Sequence, residues 1–238
     1  SRTRATVSPL PGLVAGFSVG ELAAHALAGS FDTRACLALA AQRARYMDAA
    51  SPADSGMQAV LGLDRARVQS LCAVHGAYIA IVNGHDHFIV GGALAGLEAL
   101  AGDARAAGAD IRPLPVHVPS HTPLLQAAVP RFAAALEAVA WQQPGLPVLA
   151  GIDGRVVRDH AGSVHTLSAQ LAQTIEWAQV MRQLFERGAR VFLQLGPGTA
   201  LARMVASAYP CCEVRAVEEF QHLDGAADWV QRALGRLQ

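Results

Sequence analysis

Gly12-Leu-Val-Ala-Gly16-Phe17-Ser18-Val19-Gly20-Glu21 decides how this chain is read. The apolar start is a short strand, and Glu21 to Ala28 carries helical spacing that Gly29 ends. Gly16-Phe17-Ser18-Val19-Gly20 between them is a G-x-S-x-G sequence at a strand-to-helix turn. Such a turn holds the serine in a strained conformation, and its glycines let neighbouring backbone pass close by. The Ser18 hydroxyl then stands at the positive end of the helix, and the Val19 N–H points into the same space as an oxyanion donor. An ordinary Gly/Ser turn with no chemistry has the same letters.

Downstream, Phe31 to Ala50 reads as a second apolar helix, and residues 49–56 read as a linker. The next sixty residues predict a strand at Met57–Leu63, a helix capped by Asp64, and strands at Ala77–Val82 and His87–Gly91. A helix at Ala93–Ala107 and a strand at Ile111–Val116 complete the order β-α-β-β-α-β, a ferredoxin-like arrangement. A helix from about Pro123 to Val139 follows, then a strand at Pro147–Ile152 and helices at Ser163–Gln173 and Ile175–Arg187. Val191–Leu195 and Glu213–Val217 read as strands, Thr199 opens a helix, and Ala226–Leu237 is the terminal helix. Alternating strands and helices predict a parallel, helix-covered sheet. The expected organisation is a large α/β domain of residues 1–53 and 116–238, with residues 54–115 inserted as a smaller one.

A nucleophilic serine needs a base, and nine histidines compete. His25 lies a turn or two into the helix after Ser18, where capping or packing suits it. His85-Asp86-His87 falls in a hairpin turn, with no third metal ligand spaced nearby. His117 and His121 are four apart, but Pro119 between them argues against a helical pair. His121 closes Leu114-Pro-Val-His-Val-Pro-Ser-His121, where the chain leaves the small domain for the large one. Such a crossover faces an interdomain cleft, the usual place for a small-molecule site. No carboxylate partner stands out, so a Ser18–His121 dyad oriented by carbonyl groups fits better than a triad.

Composition removes several function classes. The 238 residues are 52% hydrophobic and 16% charged, which excludes a disordered chain. Nineteen basic residues balance nineteen acidic ones, against nucleic acid as the main partner. All the basic residues are arginines, so lysine chemistry is excluded. No apolar run is long enough to span a bilayer, and the opening Ser1-Arg-Thr-Arg4 does not read as a secretion signal. Cys36, Cys72, Cys211 and Cys212 form no CxxC, and buried or adjacent thiols suit a reduced, cytoplasmic protein.

Together these residues resemble the malonyl-CoA:acyl carrier protein transacylases, the acyltransferases of fatty acid and polyketide synthesis. The family's G-H-S-x-G-E is similar to Gly16-Phe17-Ser18-Val19-Gly20-Glu21, with Phe17 in place of histidine. Its R-G-x-x-M-Q run is similar to Arg43-Ala-Arg-Tyr-Met47-Asp48, and its V-P-S-H to Val118-Pro-Ser-His121. Its R-Q-L resembles Ala169-Gln170-Leu171, and its G-P-G resembles Gly196-Pro197-Gly198. The resemblance implies an α/β-hydrolase-like core with an inserted ferredoxin-like subdomain. It also implies Ser18 and His121 as the catalytic pair, Arg43 on the malonyl carboxylate and Gln170 among the substrate-binding residues. No metal or resident cofactor is implied, because malonyl-CoA is the substrate and the acceptor carrier protein brings its own phosphopantetheine-type arm. The family's G-Q-G-x-Q loop, which supplies the other oxyanion N–H, is expected upstream of this chain or on another one.

Two departures mark a side branch: Ala44 stands where glycine is usual, and Val82-Asn83-Gly84-His85-Asp86-His87-Phe88 makes a short hairpin. Its wording resembles the malonyl transferase subunit of malonate decarboxylase, which would make that complex a partner. A serine thioesterase or esterase on the same elbow is the competing expectation, with His165 or His222 as base. A third is a subunit that only docks a carrier protein.

Overall fold

Val14 and Ala15 form strand β1, and the chain turns through residues 16–19 into helix α1, Gly20–Leu27. Only glycine fits at position 16, because a Cβ there would lie 2.1 Å from the carbonyl carbon and oxygen of Gly20. The N–H groups of Gly20, Glu21 and Leu22 bond to the carbonyls of Phe17, Ser18 and Val19, so the helix opens without a side-chain cap. These features come from a computed structural model that describes residues 10–237. The opening Ser1-Arg-Thr-Arg4 lies outside the described residues.

The architecture is α/β, in two compact units. One is Val14–Val180; the other joins residues 10–13 to residues 181–237. In the first, α2 spans Thr33–Ala50, and its N-cap Asp32 accepts from the Ala35 N–H at 2.8 Å. Its buried residues are Leu39, Arg43 and Met47, spaced four apart on one face. Helical periodicity therefore carries a guanidinium inward with two apolar neighbours.

Strand β2 (Ser55–Leu61), helix α3 (Arg65–His75), strands β3 (Tyr78–Val82) and β4 (His87–Ala93), helix α4 (Leu94–Ala106) and strand β5 (Asp110–Pro113) follow. The strands form one antiparallel sheet in the order β3-β4-β2-β5. Val60, Val68, Phe88, Val90, Leu97 and Leu100 fill a core between it and the two helices. Asp64 caps α3 by accepting from the Arg67 N–H at 2.8 Å. Strand β5 stops at Pro113, short of Val116, because Pro113 and Pro115 bring no N–H to the ladder.

The expected helix from Pro123 to Val139 is two pieces, a 3-10 stretch at Pro123–Ala128 and helix α5 at Val129–Glu137. Pro130 has no N–H to donate into the preceding turn, which separates them. Strand β6 (Val148–Leu149) runs parallel to β1, as expected, but β7 (Val156–Val157) folds back antiparallel on β6. Asp153-Gly154 makes that turn, with Gly154 at φ +70°, so this sheet is mixed rather than parallel.

Helix α6, His160–Ala169, is capped by Asp159 accepting from the Gly162 N–H at 2.7 Å. Residues 170–176 then reach β3, where Ile175 exchanges backbone bonds with Ala80 and Val82 at 2.9 and 2.8 Å. Leu22, Leu39, Leu125, Phe132, Leu136, Leu167 and Leu171 pack the apolar core that α1, α2, α5 and α6 share. The division between the units falls within helix α7, Trp177–Glu186.

In the second unit, β8 (Val191–Gln194) runs parallel to β9 (Glu213–Ala216), with helices α8 (Ala200–Ala208) and α9 (Leu223–Gly235). Trp229, Val230 and Ala233 of α9 pack with Val191 and Leu193 of β8. Gly196 and Gly198 of the Gly-Pro-Gly turn after β8 both take positive φ, +102° and +75°. Among the described residues no helix is long and apolar enough to cross a membrane.

Candidate active site

The elbow turn puts Ser18 at φ +53°, and the crossover from β5 puts His121 at φ +63°. They are two of only three non-glycine residues with positive φ among the described residues. Side chains rarely adopt that conformation unless surrounding structure enforces it. Here it is enforced on both sides: the first turn of α1 closes over Gly16, and the His121 N–H is held by the Leu171 carbonyl at 2.9 Å. Thr122, fully buried, ties the same crossover by donating to the Pro119 carbonyl at 2.6 Å.

Ser18 Oγ and His121 Nε2 are 2.8 Å apart, within the range of a general base and its nucleophile. The other ring nitrogen, Nδ1, donates to the Gln170 carbonyl. That bond assigns the proton to Nδ1 and leaves the Nε2 lone pair for the serine O–H. His121 is 2% exposed, and burial, with the Arg43 charge adding to it, pulls its pKa down to about 3. The bond to Gln170 pulls the other way. The imidazole is therefore neutral and ready to accept a proton at neutral pH.

Arg43, 7% exposed on the inner face of α2, donates from Nη2 to Ser18 Oγ at 3.1 Å. Burial lowers its pKa to about 10 and nearby Glu21 raises it, so the guanidinium stays charged. A fixed, dehydrated guanidinium beside a nucleophile is a receptor for a planar anion such as a carboxylate. The Val19 N–H, at the N-terminus of α1, has no hydrogen-bond acceptor among the described residues. It is available to an oxyanion formed at the serine. Phe17 packs edge-on against Trp177 with ring centroids 5.2 Å apart, an apolar wall next to the nucleophile.

Ser18, Arg43, His121 and the Gln170 carbonyl are thus brought together, with Val19 next to the serine in the chain, while the Gln170 side chain is not exposed for the substrate binding that the resemblance implied. Gln170 holds His121 with its main-chain carbonyl, while its side chain is 1% exposed and turned to Glu21. Among the described residues no other histidine is hydrogen-bonded to Ser18. His25 packs in the core with Nδ1 3.3 Å from Ser30 Oγ, and His117 lies near Asp48 with its side chain 83% exposed. His165 is exposed on α6 and His222 is the N-cap residue of α9 with no side-chain cap bond; the histidine hydrogen-bonded to Ser18 Oγ is His121, not either base that the hydrolase expectation requires.

Glu21 has no role predicted from the sequence. A glutamate in the first turn of a helix is ordinarily a solvated partner of the helix dipole, and nothing local marks this one as 0% exposed. Burial pushes its carboxyl up to about 8, helped by Asp153 and opposed by the Gly151 N–H, Arg43 and Gln170.

The Acyl transferase domain family matches residues 5–221. Malonyl CoA-acyl carrier protein transacylase of Salmonella typhimurium is 30% identical over 198 residues, covering 81% of this chain. The chain spans 64% of that relative's length. The solved malonyl CoA-acyl carrier protein transacylase of Coxiella burnetii superposes with a TM-score of 0.85 at 28% identity, over 89% of this chain and 69% of its own. A malonyl-transacylase solved in complex with a type II PKS acyl-carrier protein gives 0.84 at 27%, over 87% and 69%. The family match takes in the serine elbow, the α2 arginine, the crossover histidine and the Gly-Pro-Gly turn in their expected order, and on that extent the chain belongs to the Acyl transferase domain family.

Proposed function

We propose that this chain carries the catalytic centre of a malonyl-CoA:acyl carrier protein transacylase. The observation that carries the reading is Ser18 Oγ, 2.8 Å from a neutral His121 Nε2 and 3.1 Å from a buried Arg43. A serine–histidine pair alone would serve any acyl transfer; the arginine adds a receptor for an acyl group that ends in a carboxylate.

In this reading His121 Nε2 takes the Ser18 proton as Oγ attacks the malonyl thioester carbonyl. The tetrahedral oxyanion faces the Val19 N–H, the C–S bond breaks, and the CoA sulfur leaves with the proton from His121. Arg43 holds the malonyl carboxylate throughout. The carrier-protein thiol then gives its proton to His121, attacks the malonyl-serine ester, and Ser18 leaves and is reprotonated. Gln170 serves as a positioning residue for His121. The ring pair of Phe17 and Trp177 limits water near the ester, which favours transfer over hydrolysis.

The chain order and strand order of residues 54–115 support a ferredoxin-like subdomain inserted into an α/β-hydrolase-like core of residues 1–53 and 116–238. The cytoplasm, where CoA thioesters meet reduced thiols, suits the free cysteines among the described residues. A narrower reading, transfer to the carrier protein of malonate decarboxylase, rests on the tight hairpin at 82–88. There the Asn83 and Gly84 N–H groups both bond to the His87 carbonyl at 2.9 and 3.2 Å.

Intact mass spectrometry after mixing the protein with malonyl-CoA or acetyl-CoA tests the proposal. The expected result is a malonyl adduct that is absent in Ser18→Ala and absent with acetyl-CoA. Release of free malonate and CoA without an adduct would favour a hydrolase, and no reaction would leave the docking-subunit expectation. Offering the adduct two carrier proteins, one with each kind of arm, separates the two acceptors.

A further inference from the structure

The buried acid three residues after the nucleophile has no part in the steps above. Glu21 Oε2 accepts from the Gln170 side-chain Nε2 at 2.9 Å and from the Gly151 N–H at 2.9 Å. The carbonyl of that same Gln170 accepts from His121 Nδ1. One residue therefore links a buried carboxyl on the nucleophile's own helix to the imidazole that serves the nucleophile. Gln170 is the C-cap of α6, where its N–H still bonds to the Thr166 carbonyl at 3.1 Å and that of Leu171 to the Ser168 carbonyl at 3.2 Å, and beyond it the chain departs for β3. The Glu21 tether fixes both ends of this junction, since Gly151 precedes the β6–β7 turn and its carbonyl accepts from the Glu176 N–H at 2.9 Å.

We propose that Glu21 is a positioning residue that acts through Gln170 to hold His121 in its proton-accepting orientation. Burying a carboxyl is costly unless donors surround it, and Glu21 keeps Oε1 without any partner. A core position that needed only packing would be filled at lower cost by leucine or methionine of similar volume. Glu21 is suited instead to gather two donors at one oxygen, setting the Gln170 peptide against the ring. The charged and titratable groups facing it are Arg43 and Asp153. Partners one step removed from a reacting group orient it in this way, and their loss shows in rate more than in fold.

The inference rests on Ser18 and His121 as the reacting pair, so its test uses a neutral fluorophosphonate that reports serine reactivity without any malonyl substrate. Glu21→Ala and Gln170→Ala are each expected to slow labelling of Ser18 about tenfold, and the double variant no further, as coupled residues do. Glu21→Gln retains an oxygen for both donors and is expected to label within about twofold of the unaltered protein. The low-field proton resonance of His121 Nδ1–H is expected to persist in Glu21→Gln and to broaden in Glu21→Ala. Labelling at the unaltered rate in a folded Glu21→Ala would overturn the proposal, as would single effects that multiply in the double variant. If Glu21→Ala does not fold, Gln170→Ala alone decides, since it cuts the tether and keeps the carbonyl. Normal labelling without a malonyl adduct would sink the malonyl reading and leave the tether standing.

Discussion

Arg43 donates to the nucleophile itself, with Nη2 3.1 Å from Ser18 Oγ. The guanidinium spends one donor on the serine, and its charge opposes protonation of His121. A carboxylate arriving at Arg43 offers two strong acceptors and cancels that charge. In the proposed transacylase reading, substrate recognition and base strength are coupled: the group assigned to the acyl carboxylate also opposes protonation of the base until the carboxylate is present.

Arg43→Ala tests this coupling. Losing a charge-assisted pair costs about 1.5–3 kcal/mol, so kcat/KM for malonyl-CoA is expected to fall roughly 10- to 100-fold. Turnover of acetyl-CoA is expected to hold or rise, because the restraint on His121 is gone. Steady-state assays with the two thioesters measure the ratio directly. An unchanged preference for malonyl-CoA would show that the carboxylate is read elsewhere.

The pH dependence of acylation follows from burial of His121. An ordinary histidine base loses activity as pH falls through about 6.5. With its pKa pulled down to about 3, His121 stays neutral and competent well below that. Single-turnover acylation of Ser18 is therefore expected to be flat from pH 8 to pH 5. Malonyl-CoA binding at Arg43 would move the acid limb of the bound state upward, since the opposing charge is neutralised. A steep fall centred near pH 6.5 in the free protein would mean that the ring is solvated.

Ser18 at φ +53° stores strain that glycine does not feel. Ser18→Gly and Ser18→Ala lose the same hydroxyl contacts, so Ser18→Gly, which also sheds the Cβ, is expected to be the more stable of the two by about 1 kcal/mol. Chemical denaturation of the two inactive variants makes the comparison. Equal midpoints would mean that the elbow is relaxed as serine.

Much of the fold is legible in the sequence because its signals are local. Asp64 announces its helix as a cap, and the order of elements in 54–115 is readable from apolar periodicity on either side of the turn at Gly84. Ser18, Arg43 and His121 are found by motif. Two kinds of feature escape. The β6–β7 turn depends on Asp153-Gly154, a two-residue signal between two-residue strands, too short for periodicity to register. Glu21 escapes because its burial is set by Gly151 and Gln170, distant in sequence, and a first-turn glutamate has a solvated explanation that satisfies every local rule.

His25 shows how the same burial acts on stability. It is fully buried beside Phe31 and Trp141, and burial lowers its pKa to about 4. Between pH 6.5 and about 4 the unfolded chain binds a proton at this residue and the folded chain does not, so stability falls with falling pH. The loss runs at about 1.4 kcal/mol for each pH unit in that window. His121 adds to it with the same sign. Glu21, raised to about 8, acts oppositely: the folded state holds its proton where the unfolded state has lost it, so its contribution grows as pH falls toward 4.5. The three overlap, and the total slope identifies none of them. Comparing His25→Phe with the unaltered protein isolates one. The phenyl ring keeps the aromatic packing and cannot be protonated, while Ser30 loses its 3.3 Å partner at every pH. The variant is expected to be the less stable at pH 7 and to gain on the unaltered protein by up to about 3 kcal/mol by pH 4. Parallel denaturation curves across that range would place the His25 titration in the ordinary range and the ring in contact with water.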